Sequence, residues 1–434
     1  GFWYFDRPSS FWTKLACFMI VLVIIGIFVT FFYRMYILSS ISFIVFTALL
    51  ISLWSYKRYL LNNIPLKPRD TRRTNVRFGI MIPFIHPLTT DIVILDNSCN
   101  NQKELNVRKY KWLKSLSVGV NCCQQVKSLE LKNMEYLERI VLEQGSFTSL
   151  AEDASRNGQT RFIVEHCESL HFISVQDNCF KYAQDFVLND LDSLEKITIQ
   201  SNCFQSIPKF VISNLPHLKI LSISENCFQS TKTLVIKNVS SLESITIGEN
   251  CFLSSSFDLE NNDSLKTIQI KRNSFKNGNS FRIRSMKNLS SLEVNDNCFQ
   301  SVQDFVLNDL DSLEKITIQS NCFQSIPKFV ISNLPHLKIL SISENCFQST
   351  KTLVIKNVSS LESITIGENC FLSSSFDLEN NDSLKTIQIK RNSFKNGNSF
   401  RIRSMKNLSS LEVNDNCFQS VQDFTLESNV LFMI

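Results

Sequence analysis

The chain has 434 residues, of which 44% are hydrophobic and 20% are charged, and its formal net charge at pH 7 is +5. This length would suit two or three ordinary domains, although an array of short stacked repeats can reach it without dividing. Fourteen cysteines are far sparser than in small disulfide-stapled scaffolds, so their number alone does not indicate disulfides.

The positive charge is concentrated in one short segment. Seven basic residues opposed by Asp70 give this segment a charge of +6 and leave −1 for the rest of the chain. They are Lys57, Arg58, Lys67, Arg69, Arg72, Arg73 and Arg77. A repeat protein that binds nucleic acid would carry positive charge along its repeats, so we expect no nucleic-acid partner.

Two apolar runs open the chain, Leu15 to Phe32 and Ile37 to Trp54, each of 18 residues without a charge. A helix rises about 1.5 Å per residue, so roughly 20 residues cross a hydrocarbon core of ~30 Å. With the flanking aromatic residues included, each run reaches that length. We therefore predict a transmembrane hairpin over residues 1–60, with spans of about 13–33 and 36–56; a pair of buried core helices is the alternative.

The link between the two runs, Tyr33-Arg34-Met35-Tyr36, is so short that both outer ends must face the same side. Basic residues favour the cytoplasmic side of a membrane. We therefore predict a multi-pass membrane protein with the following residues in the cytosol. Residues 61–92 would form a basic juxtamembrane linker and N-terminal cap, in contact with anionic lipid headgroups, although a plain stop-transfer flank is an equally good interpretation.

From Val93 onward one pattern recurs, as in Leu218-x-x-Leu221-x-Ile223-x-x-Asn226-Cys227-Phe228. We number the repeats by the Cys or Ser that follows the Asn and call this residue the anchor. The fourteen anchors are Ser98, Cys122, Ser146, Cys179, Cys203, Cys227, Cys251, Ser274, Cys298, Cys322, Cys346, Cys370, Ser393 and Cys417. Their spacing is 24 residues, apart from one interval of 33, one of 23 and the copy of the latter. Chance periodicity does not explain so long a series.

Two features interrupt or extend this array. The long interval contains a polar insert around Ala151 to Thr160, which we expect on a loop. Residues 184–302 recur unchanged as residues 303–421, which implies either a recent duplication or an error in assembling the sequence. The copy ends before Thr425, so we predict a solenoid over 93–434 that is truncated at its C-terminus.

Each repeat holds two apolar alternations, such as Phe210-x-Ile212 and Leu221-x-Ile223. Period-two alternation of β-branched residues predicts strands, and 24 residues leave little room for a helix. We expect a parallel strand from the second alternation and a shorter extended segment from the first. Like positions should stack into ladders, with Asn amides satisfying backbone groups at the turns and Phe forming an aromatic spine. The ladder residues of the three central repeats are Asn202, Cys203, Phe204, Asn226, Cys227, Phe228, Asn250, Cys251 and Phe252.

The motif Leu-x-x-Leu-x-Ile-x-x-Asn-Cys-Phe resembles the conserved segment of leucine-rich repeats, with Phe in the last apolar position. The first alternation, as in Ser256-Phe257-x-Leu259, resembles the BspA-like branch of that superfamily. The resemblance covers about Val93 to Phe424. It implies a mainly β solenoid whose concave face binds proteins.

No residue pattern in the chain indicates an active site. Metal sites usually place ligands two to four residues apart, and the anchors are too far apart in sequence, so we interpret them as buried, reduced thiols. His166, Cys167 and His171 could be a metal cluster or a nucleophile pair, but Cys167 falls at an inward position. Phosphate-loop, serine-hydrolase and zinc-protease motifs are absent from the sequence. We predict no enzyme, no cofactor and no bound metal.

What remains is a polar strip beside the inward Leu and Ile residues. We predict that a protein partner contacts Lys196, Thr198, Gln200, Ser222, Ser224, Glu225, Thr246, Glu249, Gln269, Lys271, Arg272, Glu293 and Asp296. The favoured hypothesis is a membrane-anchored, cytosolic scaffold. The alternatives are a cell-surface receptor or adhesion protein with external repeats, and the regulatory array of an enzyme whose catalytic domain lies elsewhere.

Overall fold

A computed structural model describes residues 7–32, 36–63, 71–77, 79–148, 160–427 and 432–433. The chain divides into two compact units, Gly1–Arg69 and Asp70–Ile434. The predicted insert falls almost entirely on residues 149–159, which lie outside the described residues.

The first unit consists of two helices, α1 (Arg7–Phe32) and α2 (Tyr36–Asn63). Both expose large apolar side chains, among them Phe18 at 59%, Phe28 at 64% and Ile44 at 64% exposure. Over the part of the chain that the structure describes, no helix combines the length and the apolar character needed to cross a membrane. The two predicted transmembrane spans are therefore not supported.

The second unit is a parallel β solenoid in which strands of two sheets alternate along the chain. A short 3₁₀ helix, Gly79–Phe84, lies between the first two strands. One sheet, which we call the long sheet, contains sixteen strands in sequence order. They are β1 (Arg73–Val76), β2 (Asp91–Ile94), β3 (Ser115–Val118), β5 (Arg139–Leu142), β7 (Phe172–Val175), β9 (Lys196–Ile199), β11 (Ile220–Ile223), β13 (Ser244–Ile247), β15 (Thr267–Ile270), β17 (Ser291–Val294), β19 (Lys315–Ile318), β21 (Ile339–Ile342), β23 (Ser363–Ile366), β25 (Thr386–Ile389), β27 (Ser410–Val413) and β29 (Phe432–Met433).

The intervening strands form a second layer of two sheets, one of eight and one of five strands. The eight are β4 (Ser128–Lys132), β6 (Arg161–Glu165), β8 (Asp185–Asn189), β10 (Lys209–Ser213), β12 (Thr233–Lys237), β14 (Phe257–Glu260), β16 (Ser280–Arg284) and β18 (Asp304–Asn308). The five are β20 (Lys328–Ser332), β22 (Thr352–Lys356), β24 (Phe376–Glu379), β26 (Ser399–Arg403) and β28 (Asp423–Leu426).

The pairing register confirms that like positions stack. Leu221 on β11 lies opposite Ile197 on β9 and Ile245 on β13, so residues 24 apart are neighbours. Across the insert, Ile140 lies opposite Ile173, so the extra residues leave the register intact. The period-two apolar pattern thus buries one side of the strands from β2 to β26, and the core lies between the two layers.

The first alternation forms strands as long as those of the second, which corrects the expected shorter segment. Strand β10 has five residues and pairs with β12 along its whole length. The reason is that stacking also pairs the backbone groups of the first element, as between β10 and β12.

Proline weakens this second layer once in each copy. The pairing between β8 and β10 is reduced to Ile212 and Leu188, and the layer is interrupted between β18 and β20. The residue at the start of β10 is preceded by Pro208, and Pro327 holds the same place before β20. Gln184 holds the place of Pro208 in the preceding repeat, and its N–H donates to the Thr160 carbonyl at 2.9 Å. Proline has no N–H, so the equivalent hydrogen bond cannot form at Pro208.

Candidate functional site

The turn that follows each long-sheet strand from β2 to β27 contains two residues with left-handed backbone. In the repeat anchored by Cys227, φ is 58° at Asn226 and 54° at Phe228. Asn adopts this conformation more readily than most residues, and Gly more readily still. Gly145, which replaces Asn before the anchor Ser146, has φ 72°. The Asn position is therefore selected for its backbone conformation, which explains the one exception.

The Asn side chains form a ladder of amide–amide hydrogen bonds. Asn226 Nδ2 donates to Asn202 Oδ1 at 3.2 Å, and Asn250 Nδ2 donates to Asn226 Oδ1 at 3.0 Å. The prediction that these amides bond to backbone groups is therefore wrong. The backbone N–H of Asn226 instead donates to the Glu249 carbonyl at 2.7 Å, so the main chain is satisfied by the next turn.

Each anchor thiol donates to a backbone carbonyl of the preceding repeat, that of the residue directly after its long-sheet strand. Cys227 Sγ lies 3.0 Å from the Gln200 carbonyl, and Cys251 Sγ lies 3.1 Å from that of Ser224. At the Ser274 anchor the hydroxyl donates to the Gly248 carbonyl at 2.6 Å. A small donor is thus what the position requires, which explains why Ser and Cys alternate there.

The cysteines in the described part of the chain are all free thiols. Burial raises the pKa of Cys203 and of Cys251 well above that of an ordinary thiol. A thiol held protonated in this way is a poor nucleophile and a poor metal ligand. At these two anchors the thiol therefore serves the packing of the turn.

The aromatic spine is confirmed, and a second column of Phe packs against it. Phe204, Phe228 and Phe252 stack with centroid distances of 5.5 and 5.2 Å. Phe210 on β10 meets the face of Phe228 edge-on at 4.5 Å. Edge-to-face and parallel contacts of this kind add to the stabilisation from burial and fix the spacing of the turns.

The candidate histidine and cysteine cluster does not assemble. Cys167 is fully buried, and burial raises its pKa to about 11. The His166 ring lies 3.0 Å from the Asp190 carboxylate, whereas the His171 ring contacts the Ser193 carbonyl at 3.2 Å. No group of three or more candidate ligands comes together for a metal ion within the described residues.

The predicted partner-contacting residues lie on the outward side of the long sheet, which we call the outward face. Register aligns Thr198, Ser222, Thr246, Gln269 and Glu293 in one column across five strands. The residues after each strand form further columns that are exposed or half-buried: Gln200, Ser224, Glu225, Glu249, Lys271, Arg272 and Asp296.

Hydrogen bonds between neighbouring turns order part of this face. Ser224 Oγ donates to Gln200 Oε1 at 3.2 Å, and Gln269 Nε2 donates to Glu293 Oε2 at 2.9 Å. Asp296 Oδ1 accepts from the backbone N–H of Ser320 at 2.9 Å. The outward face therefore presents a partly preorganised polar surface.

Two segments of the chain, residues 192–252 and 287–347, match the family model described as leucine rich repeat. The chain is similar to leucine-rich repeats there. No curated protein matches the chain. The matched segments include the Leu, Ile, Asn and Phe positions described above, and solenoids of leucine-rich repeats typically bind proteins. The resemblance to the BspA-like branch gains no support.

The leucine-rich-repeat motif was not enough to find one feature of the outward face. Phe172 begins β7 and points outward, half-exposed, between Arg139 on β5 and Lys196 on β9. The signal was present in His171-Phe172-Ile173-Ser174-Val175, because inward Ile173 and Val175 place Phe172 outside. This aromatic residue lies on the strand next to β9, the first strand that carries predicted partner contacts.

Proposed function

We propose that the solenoid is a scaffold that holds a protein partner on the outward face of the long sheet, the concave face that the resemblance implies. The observation that carries this proposal is the in-register array of outward side chains, most of them polar, on the parallel strands of the long sheet. Such an array offers a continuous surface with hydrogen-bonding groups at a regular spacing of about 4.8 Å.

The interior supports this proposal because it holds the outward face rigid. Amide, thiol and aromatic ladders tie each turn to the next at the same positions. A partner that binds a preordered surface loses less conformational entropy than one that must order a loop. Partner specificity would then depend on the outward side chains, which vary from turn to turn.

Site-specific photo-crosslinking tests the assignment of the face. A photoreactive amino acid replaces Thr246 on the outward face or, as the matched control, Val235 on the outer side of β12. Both side chains are half-buried strand residues. We expect the probe at position 246 alone to crosslink a protein, and an excess of unlabelled solenoid to suppress that crosslink. Equal crosslinking from position 235, or crosslinking from position 235 alone, contradicts the proposal.

We propose separately that the helical unit attaches the chain to a lipid surface. What supports this is the apolar surface of α1 and α2, with Ile51 at 64% and Phe43 at 58% exposure, because apolar patches of this kind mark interaction sites. The test is flotation with liposomes. Flotation should be lost when residues 1–63 are removed and should survive charge reversal at Arg72 and Arg73 if apolar contact dominates; a full chain that stays at the bottom of the gradient refutes attachment.

A further inference from the structure

Four residues form a mixed apolar and basic column across the N-terminal half of the outward face. Arg139, Phe172, Lys196 and Ile220 are each the first residue of their strand, and register places them side by side on β5, β7, β9 and β11. Arg139 and Lys196 are exposed, Phe172 is half-exposed and Ile220 is 38% exposed.

Both cations lie over the aromatic ring. The Arg139 guanidinium is 5.5 Å and the Lys196 ammonium is 5.9 Å from the centroid of Phe172. Contacts of this length are favourable but weak at an exposed site, so they orient the cations without neutralising them.

The acidic residues next to this column form salt bridges with lysines outside it. Glu138 pairs with Lys114 at 2.7 Å, and Glu195 pairs with Lys219 at 3.0 Å. Within the described residues, neither Arg139 nor Lys196 takes part in a salt bridge. Two cations without acidic partners thus flank an aromatic ring on a rigid sheet.

We propose that Arg139, Phe172 and Lys196 form the docking centre for an acidic, extended segment of a protein partner. This inference rests on the proposed function and names the chemistry of the partner. The two cations lie two strands apart, about 10 Å. On an extended chain, carboxylates four residues apart face the same side at about 13 Å, a difference that long Arg, Lys and Glu side chains span, and the residue midway between them faces that side too. An apolar side chain between these carboxylates packs on Phe172, with Ile220 extending the apolar surface.

This residue combination agrees with what carries binding energy in protein interfaces. Aromatic residues and Arg are enriched among the few residues that dominate affinity, and charge complementarity selects the partner. The other columns of the outward face consist mainly of Ser, Thr, Gln and Glu, which favour orientation over affinity.

The duplicated segment supplies an internal control. Lys315 and Ile339 repeat Lys196 and Ile220 on β19 and β21, with the same register. The neighbour of Lys315 on the preceding strand is Ser291 in place of Phe172. The second copy therefore has the cation and the aliphatic residue but lacks the aromatic ring and the second cation.

The experiment selects ligands from a random peptide library displayed on phage, with the full chain as bait. Enriched peptides are synthesised with a fluorescent label, and their Kd is measured by anisotropy against wild type, the double variant R139E/K196E, the variant F172S and the control K315E. Thermal unfolding verifies that each variant is folded; if F172S is not, the double variant still tests the site.

We expect enriched peptides with acidic residues on both sides of an apolar one. The double variant should weaken binding by about tenfold or more, F172S by about fivefold, and K315E not measurably. Neutral or basic peptides, no enriched peptide, or equal losses for K315E and R139E/K196E overturn the inference. A further variant on the outward face, T246K, separates this inference from the proposed function. Peptides whose Kd is unchanged in R139E/K196E but raised in T246K would overturn this docking centre and leave the proposed function intact.

Discussion

Asn226 and Phe228 share a left-handed backbone but tolerate it for different reasons. An Asn side chain is short and polar, so its φ of 58° carries little penalty. Phe228, at φ 54°, loses about 1–2 kcal/mol relative to a right-handed residue. Its full burial in the spine, worth about 1.5–3 kcal/mol, offsets this loss. The turn is therefore held by packing, and the Asn provides the conformation at low cost.

Substitution of Asn226 separates the backbone contribution from that of the amide ladder. Asn226→Gly removes the two side-chain hydrogen bonds of the amide ladder but keeps a residue suited to positive φ. We therefore expect the free energy of unfolding to fall by about 1–2 kcal/mol. Asn226→Ala adds left-handed strain of about 1 kcal/mol. The two variants are compared by their urea unfolding midpoints; equal midpoints would mean that strain at this position is negligible.

Substitution of Cys251 tests the role of the anchor as a hydrogen-bond donor. Cys251→Ser keeps a small donor near the Ser224 carbonyl, so we expect a change within about 1 kcal/mol. Cys251→Ala leaves that carbonyl unpaired and opens a small void, at about 1–3 kcal/mol. Thermal unfolding in reducing buffer ranks the variants, and a more stable Ala than Ser variant would show that the thiol acts as a hydrophobic group alone.

The sequence was sufficient for predictions about single residues where the same position of every repeat needs the same size and the same burial. The anchor, the Phe spine and the inward Leu and Ile were all predictable, since burial and volume appear directly in residue type. The conformation of Asn226 was not, because an amide at a turn is equally compatible with backbone capping and with a side-chain ladder. Gly145 was the informative exception, since Gly cannot replace an amide but can replace a left-handed residue.

Among elements, the second Phe column shows what most second-layer strands contribute to the core. Phe186 and Phe210 reach the spine edge-on from β8 and β10, at 5.0 and 4.5 Å from Phe204 and Phe228 respectively. The sequence pattern Phe210-x-Ile212 predicted which side was buried but not the length of the ladder, because strand length depends on backbone pairing with the neighbouring turns.

Truncation of Phe228 should be among the most damaging single changes in the array. Phe228→Ala removes a fully buried ring with stacked and edge-on neighbours, so we expect a loss of about 3–5 kcal/mol. Phe228→Leu fills most of the volume and should lose about 1.5 kcal/mol. Chemical denaturation measures both.

The second copy again provides the control for this change. Phe347 occupies the equivalent place, is fully buried and stacks on Phe323 at 5.6 Å and Phe371 at 5.0 Å. Phe347→Ala should therefore match Phe228→Ala to within about 0.5 kcal/mol, since the two sites share no contacts. A clear difference would show that position along the array affects stability.

For the solenoid as a whole, the two copies are joined by a seam that the sequence repeats. Val302 is followed by Gln303, Asp304 and Phe305, and Val421 is followed by the same three residue types. A deletion of residues 303–421 thus recreates a junction already present in the protein. We expect the shortened chain to fold with unchanged circular dichroism per residue and a smaller hydrodynamic radius. Loss of β structure would mean that the stack depends on its total length.

That seam also has a consequence for refolding. While the array forms, the turn beginning at Gln422 can close onto Val302, because the surface there is chemically identical to the one at Val421. The intervening residues 303–421 would then be left out as a large loop, whose closure entropy grows only slowly with length. Such a slipped form satisfies its local hydrogen bonds and must unpair before the remaining turns can insert. Refolding of the full chain should consequently show a slow phase that the shortened chain lacks.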